Sequence, residues 1–227
     1  MGAPTLFFGS GSVALPALER LLGSDLVDVR AVVTAPPRPA GRKRVLTPTP
    51  VGLAAEAAGL TVLAPRSLRD EATVESLRAL GPELIVLADY GRLIPTDVLE
   101  LPRHGALNIH PSLLPRHRGA APVTGTILAG DPVTGVSIMR MDEGLDTGPL
   151  LAQAEVALAG DEIAPELEAS LAELGADLLL SHLPAWLDGS LEARSQPEAG
   201  ATLTRPLQRE DGRLDPSRPA RELERQV

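Results

Sequence analysis

The chain has no cysteine, which excludes disulfides, thiolate nucleophiles and thiolate metal ligands. Its four histidines show neither HxH nor HExxH spacing, so a metal site built on imidazole is not expected. No run of about 18 apolar residues occurs, and no charged segment leads into an apolar one at the start. Neither a membrane span nor a secretory signal is therefore predicted, and the expected compartment is the cytoplasm. Positive charge is in short supply: 21 Lys and Arg against 30 Asp and Glu leave a formal charge of −9, which speaks against a surface that is basic throughout. What remains is 227 residues, 44% of them hydrophobic, enough for one good-sized domain or a domain plus a fragment.

Short β-branched or apolar runs stand at Thr5–Phe8, Val27–Thr34, Thr61–Ala64, Leu84–Ala88 and Ala106–His110. Between them Val13–Leu22, Val51–Ala58 and Glu71–Leu80 place apolar residues at helical spacing. The alternation βαβαβ predicts an α/β fold with a doubly wound, mainly parallel, Rossmann-like sheet. Val136–Met141 and Leu150–Leu158 add two strands around a DEGLDTGP turn, and Ile163–Leu187 reads as one long amphipathic helix, broken or kinked near Pro184. From Gly189 to Pro206 the composition is polar and Pro-rich, as in a linker. Ser217 is placed to cap a short helix near Pro219 that sets Leu223 and Val227 on one face.

The richest stretch runs from Leu107 to Gln153. Asn108 and His110 lie two apart near the end of a short apolar strand that Pro111 stops, so their side chains share one face. The carboxyl end of a strand in an open parallel sheet is where ligands bind. Asp146 follows in a turn bracketed by Gly144 and Gly148, with Thr147 beside it, where a close backbone approach to a ligand is expected. Singly, an Asn at a strand end or an Asp between glycines is more often a turn former; SLLP between the two parts and the matching later turn favour a site. His104, His117 and His182 gain nothing from this pattern and read as surface or packing residues. A second local feature reverses the overall charge: between Ala35 and Pro50 stand Arg38, Arg42, Lys43 and Arg44 with no acid among them.

LNIHPSLLPRHRGAAP followed by MDEGLDTGP resembles the folate-dependent formyltransferases, most fully the branch acting on methionyl-tRNA. TLFFGSGSVALPALERLL, RPAGRKRVLTPTPV, LADYGRLIP and GRLDPSRPARELERQ are similar to that family in order and spacing, so the resemblance covers nearly the whole chain. It implies transfer of a formyl group from 10-formyltetrahydrofolate, a donor substrate used without a metal, to the amino group of initiator methionyl-tRNA. It also implies a catalytic domain over residues 1–188, a linker over 189–206, and at 207–227 the start of a truncated second domain that helps hold tRNA.

Formyl transfer passes through a tetrahedral intermediate whose oxygen is negative; the attacking amine must lose a proton and the leaving folate nitrogen must gain one. Asn108 offers a neutral N–H donor, His110 can donate to the oxyanion and exchange protons, and Asp146 supplies a carboxylate. By analogy with the family, Asp146 returns beside His110 and raises its pKa toward the imidazolium. The resemblance assigns folate contacts to Ser112, Leu113, Leu114 and Pro115 on one wall and to Leu87, Tyr90 and Ile94 on another; for the leucines plain core packing is the competing reading. Asp89 departs from the small apolar residue expected before Tyr90. Contacts to tRNA are expected from Arg38, Arg42, Lys43 and Arg44, with Arg116 and Arg118 extending the positive surface toward the site.

Two other readings compete. Gly9–Ala14 fits a dinucleotide-binding GxGxxA, yet the second strand ends in Val-Val-Thr34 and prolines with no acid to hold a ribose. Within the family, a small amine such as glycinamide ribonucleotide or an amino-sugar nucleotide could be the acceptor, and an inactive folate- or RNA-binding remnant is the non-enzymatic alternative.

Overall fold

The structure, a computed structural model, describes residues 2–42 and 44–227. The order of elements is β1 (Ala3–Gly9), α1 (Leu15–Leu22), β2 (Val27–Val33), β3 (Arg38–Ala40), β4 (Val45–Thr47), α2 (Pro50–Ala57), β5 (Val62–Leu63), α3 (Glu71–Ala79) and β6 (Leu84–Ala88). Then come α4 (Thr96–Leu99), β7 (Ala106–His110), β8 (Arg118–Gly119), α5 (Pro122–Ala129), β9 (Val133–Arg140), β10 (Leu150–Ala157), α6 (Ala164–Leu187), β11 (Leu203–Thr204) and α7 (Ala220–Glu224).

Seven strands form one sheet in the order β10-β9-β7-β6-β1-β2-β5. Alternation along each central strand divides its side chains between two cores. Phe7, Val86, Leu107 and Ile109 face a core closed by Leu18 and Leu21 of α1, Ala55 of α2 and Leu171 and Leu179 of α6. Leu6, Phe8, Ile85 and Leu87 face the other, closed by Val74 and Leu77 of α3 and Val98 of α4. The helices start where local chemistry allows it: Thr49 accepts from the Gly52 N–H ahead of α2, and Asp70 from the Thr73 N–H ahead of α3.

The pairs β1–β2, β1–β6, β2–β5 and β6–β7 are parallel, whereas β9 runs antiparallel to both β7 and β10. The mainly parallel sheet expected from the sequence therefore ends in an antiparallel edge, because the short turn between β9 and β10 leaves room for a hairpin and none for a crossover. The chain leaves β1 toward β2 and β5, then returns to β6 on the other side. That reversal opens a crevice above the carboxyl ends of the central strands.

Several details differ from the sequence reading: α6 runs through Pro184 unbroken, and Pro219, not Ser217, is the N-cap residue of α7. The basic loop is an antiparallel hairpin of β3 and β4, with Arg38 opposite Thr47. The C-terminal helix stops at Glu224, so Val227 leaves the face shared with Leu223 and is 95% exposed. Residues 189–206, linker-like in composition, lie along the body: Arg194 and Leu150 exchange main-chain hydrogen bonds of 2.8 and 2.7 Å, and β11 pairs in parallel with β8.

Candidate active site

Asn108 is the middle residue of β7 and His110 its last, and the register sets Asn108 between Leu87 and Met139 and His110 beside Ser137. Both line a cavity of about 450 Å³ at the carboxyl ends of β6 and β7. Asp146 enters it from the β9–β10 turn. That turn is organised by Asp142, whose Oδ1 accepts from the Gly144 N–H at 3.0 Å and from the Thr147 hydroxyl at 2.7 Å. A Cβ at Gly148 would stand 1.8 Å from the carbonyl oxygen of Arg140, so the close approach read from the glycines is made to the chain's own backbone. Asp146 itself holds a left-handed φ of 52°. Its Oδ2 accepts the Gly119 N–H at 2.7 Å and lies 3.8 Å from Nδ1 of His110.

His110 is buried, and its Nε2 lies 3.0 Å from the main-chain carbonyl oxygen of His117. A carbonyl only accepts, so Nε2 carries the ring proton. Burial pushes the imidazole below its usual 6.5, outweighing the raising effect of the Asp146 charge and of the His117 carbonyl. This corrects the expectation of an imidazolium favoured by Asp146: desolvation is the larger effect, and the ring rests neutral with Nδ1 as the open nitrogen.

The folate assignments divide. Leu87, Tyr90 and Ile94 border the cavity, together with Met141 and Leu145. The Tyr90 ring, however, packs edge-on against Phe8 with centroids 5.3 Å apart. Ser112, Leu113, Leu114 and Pro115 do not line it. Ser137 in β9 holds them, its hydroxyl donating to the Ser112 carbonyl at 2.6 Å and accepting the Leu114 N–H at 3.0 Å. Gln153 adds a bond to the Leu114 carbonyl at 3.0 Å. The leucines of this segment thus take the packing role weighed against a folate contact.

Asp89 sits at the mouth of the cavity with a φ of 44°. Burial and the nearby Glu168 charge raise its pKa, while the Gly11 N–H lowers it. A Cβ at Gly11 would stand 1.9 Å from Asp89 Oδ2. The glycine turn that suggests a dinucleotide is therefore filled by the chain's own carboxylate, which repels a pyrophosphate.

Arg38, Arg42 and Arg44 are exposed on the hairpin, and Lys43 lies outside the described residues. Arg116 is half-exposed but held to both carboxylate oxygens of Asp131 at 2.5 and 2.7 Å. Arg118 is buried, its guanidinium turned to Gln196 and Glu198. It does not extend a positive surface, because its side chain has structural partners that the sequence leaves far away. His117 was unremarkable in the sequence, yet its carbonyl fixes the His110 tautomer and its ring is buried, with Nε2 2.6 Å from Asp131. Nothing short of the fold signals that role.

A larger cavity of about 810 Å³ lies between α5, the start of α6 and residues 207–227, and none of Asn108, His110 or Asp146 lines it. Among the described residues no group of three or more His, Cys, Asp or Glu is placed to hold a metal ion, and no helix is long and apolar enough to cross a membrane.

Residues 5–183 match the family described as formyl transferase. Methionyl-tRNA formyltransferase of Halorhodospira halophila is 48% identical over 227 residues, covering 100% of this chain and 73% of that protein. The protein of the same name from Chloroflexus aggregans is 51% identical over 220 residues, covering 97% and 71%. Among solved structures, glycinamide ribonucleotide transformylase 1 from Symbiobacterium toebii superposes with a TM-score of 0.70 at 24% identity, covering 86% of this chain and 95% of that one. An N-formyltransferase from Helicobacter canadensis, solved with folinic acid and dTDP-3-aminofucose, gives 0.71 at 16% identity, covering 99% and 79%. At these identities the two structures speak for the fold alone.

Proposed function

Because the chain belongs to the formyl transferase family, we propose that it moves a formyl group from 10-formyltetrahydrofolate to the amino group of initiator methionyl-tRNA. Identity near one half to methionyl-tRNA formyltransferases, over nearly the whole chain, carries the choice of acceptor. The convergence of Asn108, His110 and Asp146 on one cavity supports the chemistry.

The amine lone pair of the methionyl group attacks the formyl carbon, and the carbonyl π electrons move to oxygen. The Asn108 amide N–H meets the developing oxyanion in a partly dehydrated setting, where a fixed donor contributes most. The nitrogen that has attacked is now cationic, and His110 Nδ1, neutral at rest, accepts its proton. The imidazolium so formed is balanced by Asp146 at 3.8 Å and can itself face the oxyanion. Collapse re-forms the carbonyl, breaks the bond from carbon to the folate nitrogen, and returns the proton from His110 to that nitrogen. The folate lies along Leu87–Ile94 and the Met141–Asp146 turn, which supply apolar walls and main-chain polar groups.

The hairpin with Arg38, Arg42 and Arg44 projects basic side chains for phosphate contacts; residues 1–188 carry the reaction, with 189–206 fastened along them. Incubation with 10-formyltetrahydrofolate and methionyl-tRNA should yield N-formylmethionyl-tRNA and tetrahydrofolate in equal amounts. Tetrahydrofolate without formylated tRNA would mean hydrolysis, and the absence of both products would overturn the reading.

A further inference from the structure

Gln196 stands 50 residues beyond Asp146, in the stretch whose composition reads as a linker. Its carboxamide spans both loops that meet at His110. Nε2 donates to the main-chain carbonyls of Asp146 at 2.9 Å and Gly148 at 2.7 Å. Oε1 accepts from Nε and Nη2 of Arg118 at 3.2 and 3.0 Å. The Arg118 main chain is itself held by this stretch: its N–H donates to the Thr202 carbonyl at 2.9 Å, and its carbonyl accepts from the Thr204 hydroxyl at 3.0 Å. The next residue, Gly119, gives its N–H to the Asp146 carboxylate. The hydrogen bonds close a ring from Gln196 through the Asp146 main chain, the Asp146 carboxylate, Gly119 and Arg118 back to Gln196.

The ring encloses a strained residue. A left-handed φ at a non-glycine residue persists where its surroundings over-determine it, and Asp146 is such a residue. A glutamine suits the place chemically: two carbonyls need a donor on one side and a guanidinium needs an acceptor on the other. Glutamate lacks the donor and methionine lacks both functions.

We infer that Gln196 is a positioning residue of the formyl-transfer site, holding Asp146 in the conformation that sets its carboxylate opposite Nδ1 of His110. The inference rests on the proposed reaction for its kinetic consequence, but its structural consequence can be read in the ligand-free protein. The titratable groups facing His110 are Asp146, which raises its pKa, and His117, which lowers it. A displaced Asp146 moves the His110 titration to lower pH.

The test uses Gln196→Met and Gln196→Ala in the full chain. Ring-nitrogen NMR follows the histidine titrations without ligand, and steady-state kinetics separates kcat from KM. The expected result, in whichever variant keeps the wild-type amide spectrum away from residues 110–120 and 140–150, is a His110 midpoint moved to lower pH. With it, kcat should fall about tenfold or more, a larger factor than any rise in KM for the folate donor. A folded variant with the wild-type His110 midpoint and wild-type kcat overturns the inference. Should the wild type transfer formyl to no acceptor, the proposed function falls, and the titration alone still decides Gln196: a shifted midpoint supports its positioning role and an unshifted one refutes it.

Discussion

His110 Nε2 and the main-chain carbonyl of His117 are 3.0 Å apart, and this one contact decides which nitrogen of His110 is available for proton transfer. With the ring proton committed to the carbonyl, Nδ1 is left toward Asp146. The 3.8 Å separation there is too long for a direct hydrogen bond, so the two groups couple through charge.

Replacing Asn108 or His110 by alanine removes a group from the transition state and leaves the sheet intact. Loss of one oxyanion donor costs about 3 kcal/mol, on the order of a hundredfold in rate. Each variant should lose at least that factor in kcat; Asn108→Ala should keep a thermal unfolding curve close to wild type, since Asn108 is only half-buried, whereas His110→Ala also leaves the buried His117 carbonyl without its donor and should melt lower. Near-normal turnover in either would remove that residue from the mechanism.

The depressed pKa of His110 sets the acid limb of the rate profile. Neutral Nδ1 is the base, so kcat/KM should hold as pH falls past 6.5 and decline only at the lower, folded-state value. Stability follows the same sign. The unfolded chain takes up a proton below about 6.5 that the folded protein refuses, so stability present above that pH is lost progressively beneath it. Asp146→Asn removes the charge that raises His110; its acid limb should lie lower still, at a reduced maximum rate. A profile unchanged by Asp146→Asn would separate Asp146 from His110.

Ser137 is the anchor of the Ser112–Pro115 segment, fully buried and bonded to the Ser112 carbonyl, the Leu114 N–H and the Gln153 amide. Ser137→Ala leaves buried partners unsatisfied and should destabilise the protein by about 1–3 kcal/mol, read as a lower denaturant midpoint at unchanged slope. Folate affinity should change little, because the segment lies outside the cavity.

The central sheet was legible because its strands are short apolar runs cut off by turn residues: β6 and β7 begin and end at the residues the sequence indicates. The hairpin of β3 and β4 was not, since all six of its residues are exposed and no buried face imposes an alternating pattern. Asn108, His110 and Asp146 could be picked out together because turn residues and a family pattern surround them. The roles of His117, Arg118 and Gln196 run through main-chain carbonyls and long-range side-chain bonds, which leave no periodic trace. The lowered pKa of His110 depends on burial depth, and spacing along the chain does not encode depth.

Arg42 stands exposed near the tip of the basic hairpin, away from the cavity lining. Arg42→Ala should weaken the use of tRNA and lower the salt slope of its binding by about 1, the signature of one lost phosphate contact. Folate binding should be unaffected. Equal loss of both would indicate a folding defect rather than a lost contact.

One assay addresses the choice of acceptor most directly: transfer from 10-formyltetrahydrofolate at low salt to methionyl-tRNA, glycinamide ribonucleotide and an amino-sugar nucleotide in parallel. Formylation of the charged tRNA and of neither small amine is the expected result. Transfer to a small amine in preference to the tRNA would keep the chemistry of Asn108, His110 and Asp146 and contradict the function assigned to them.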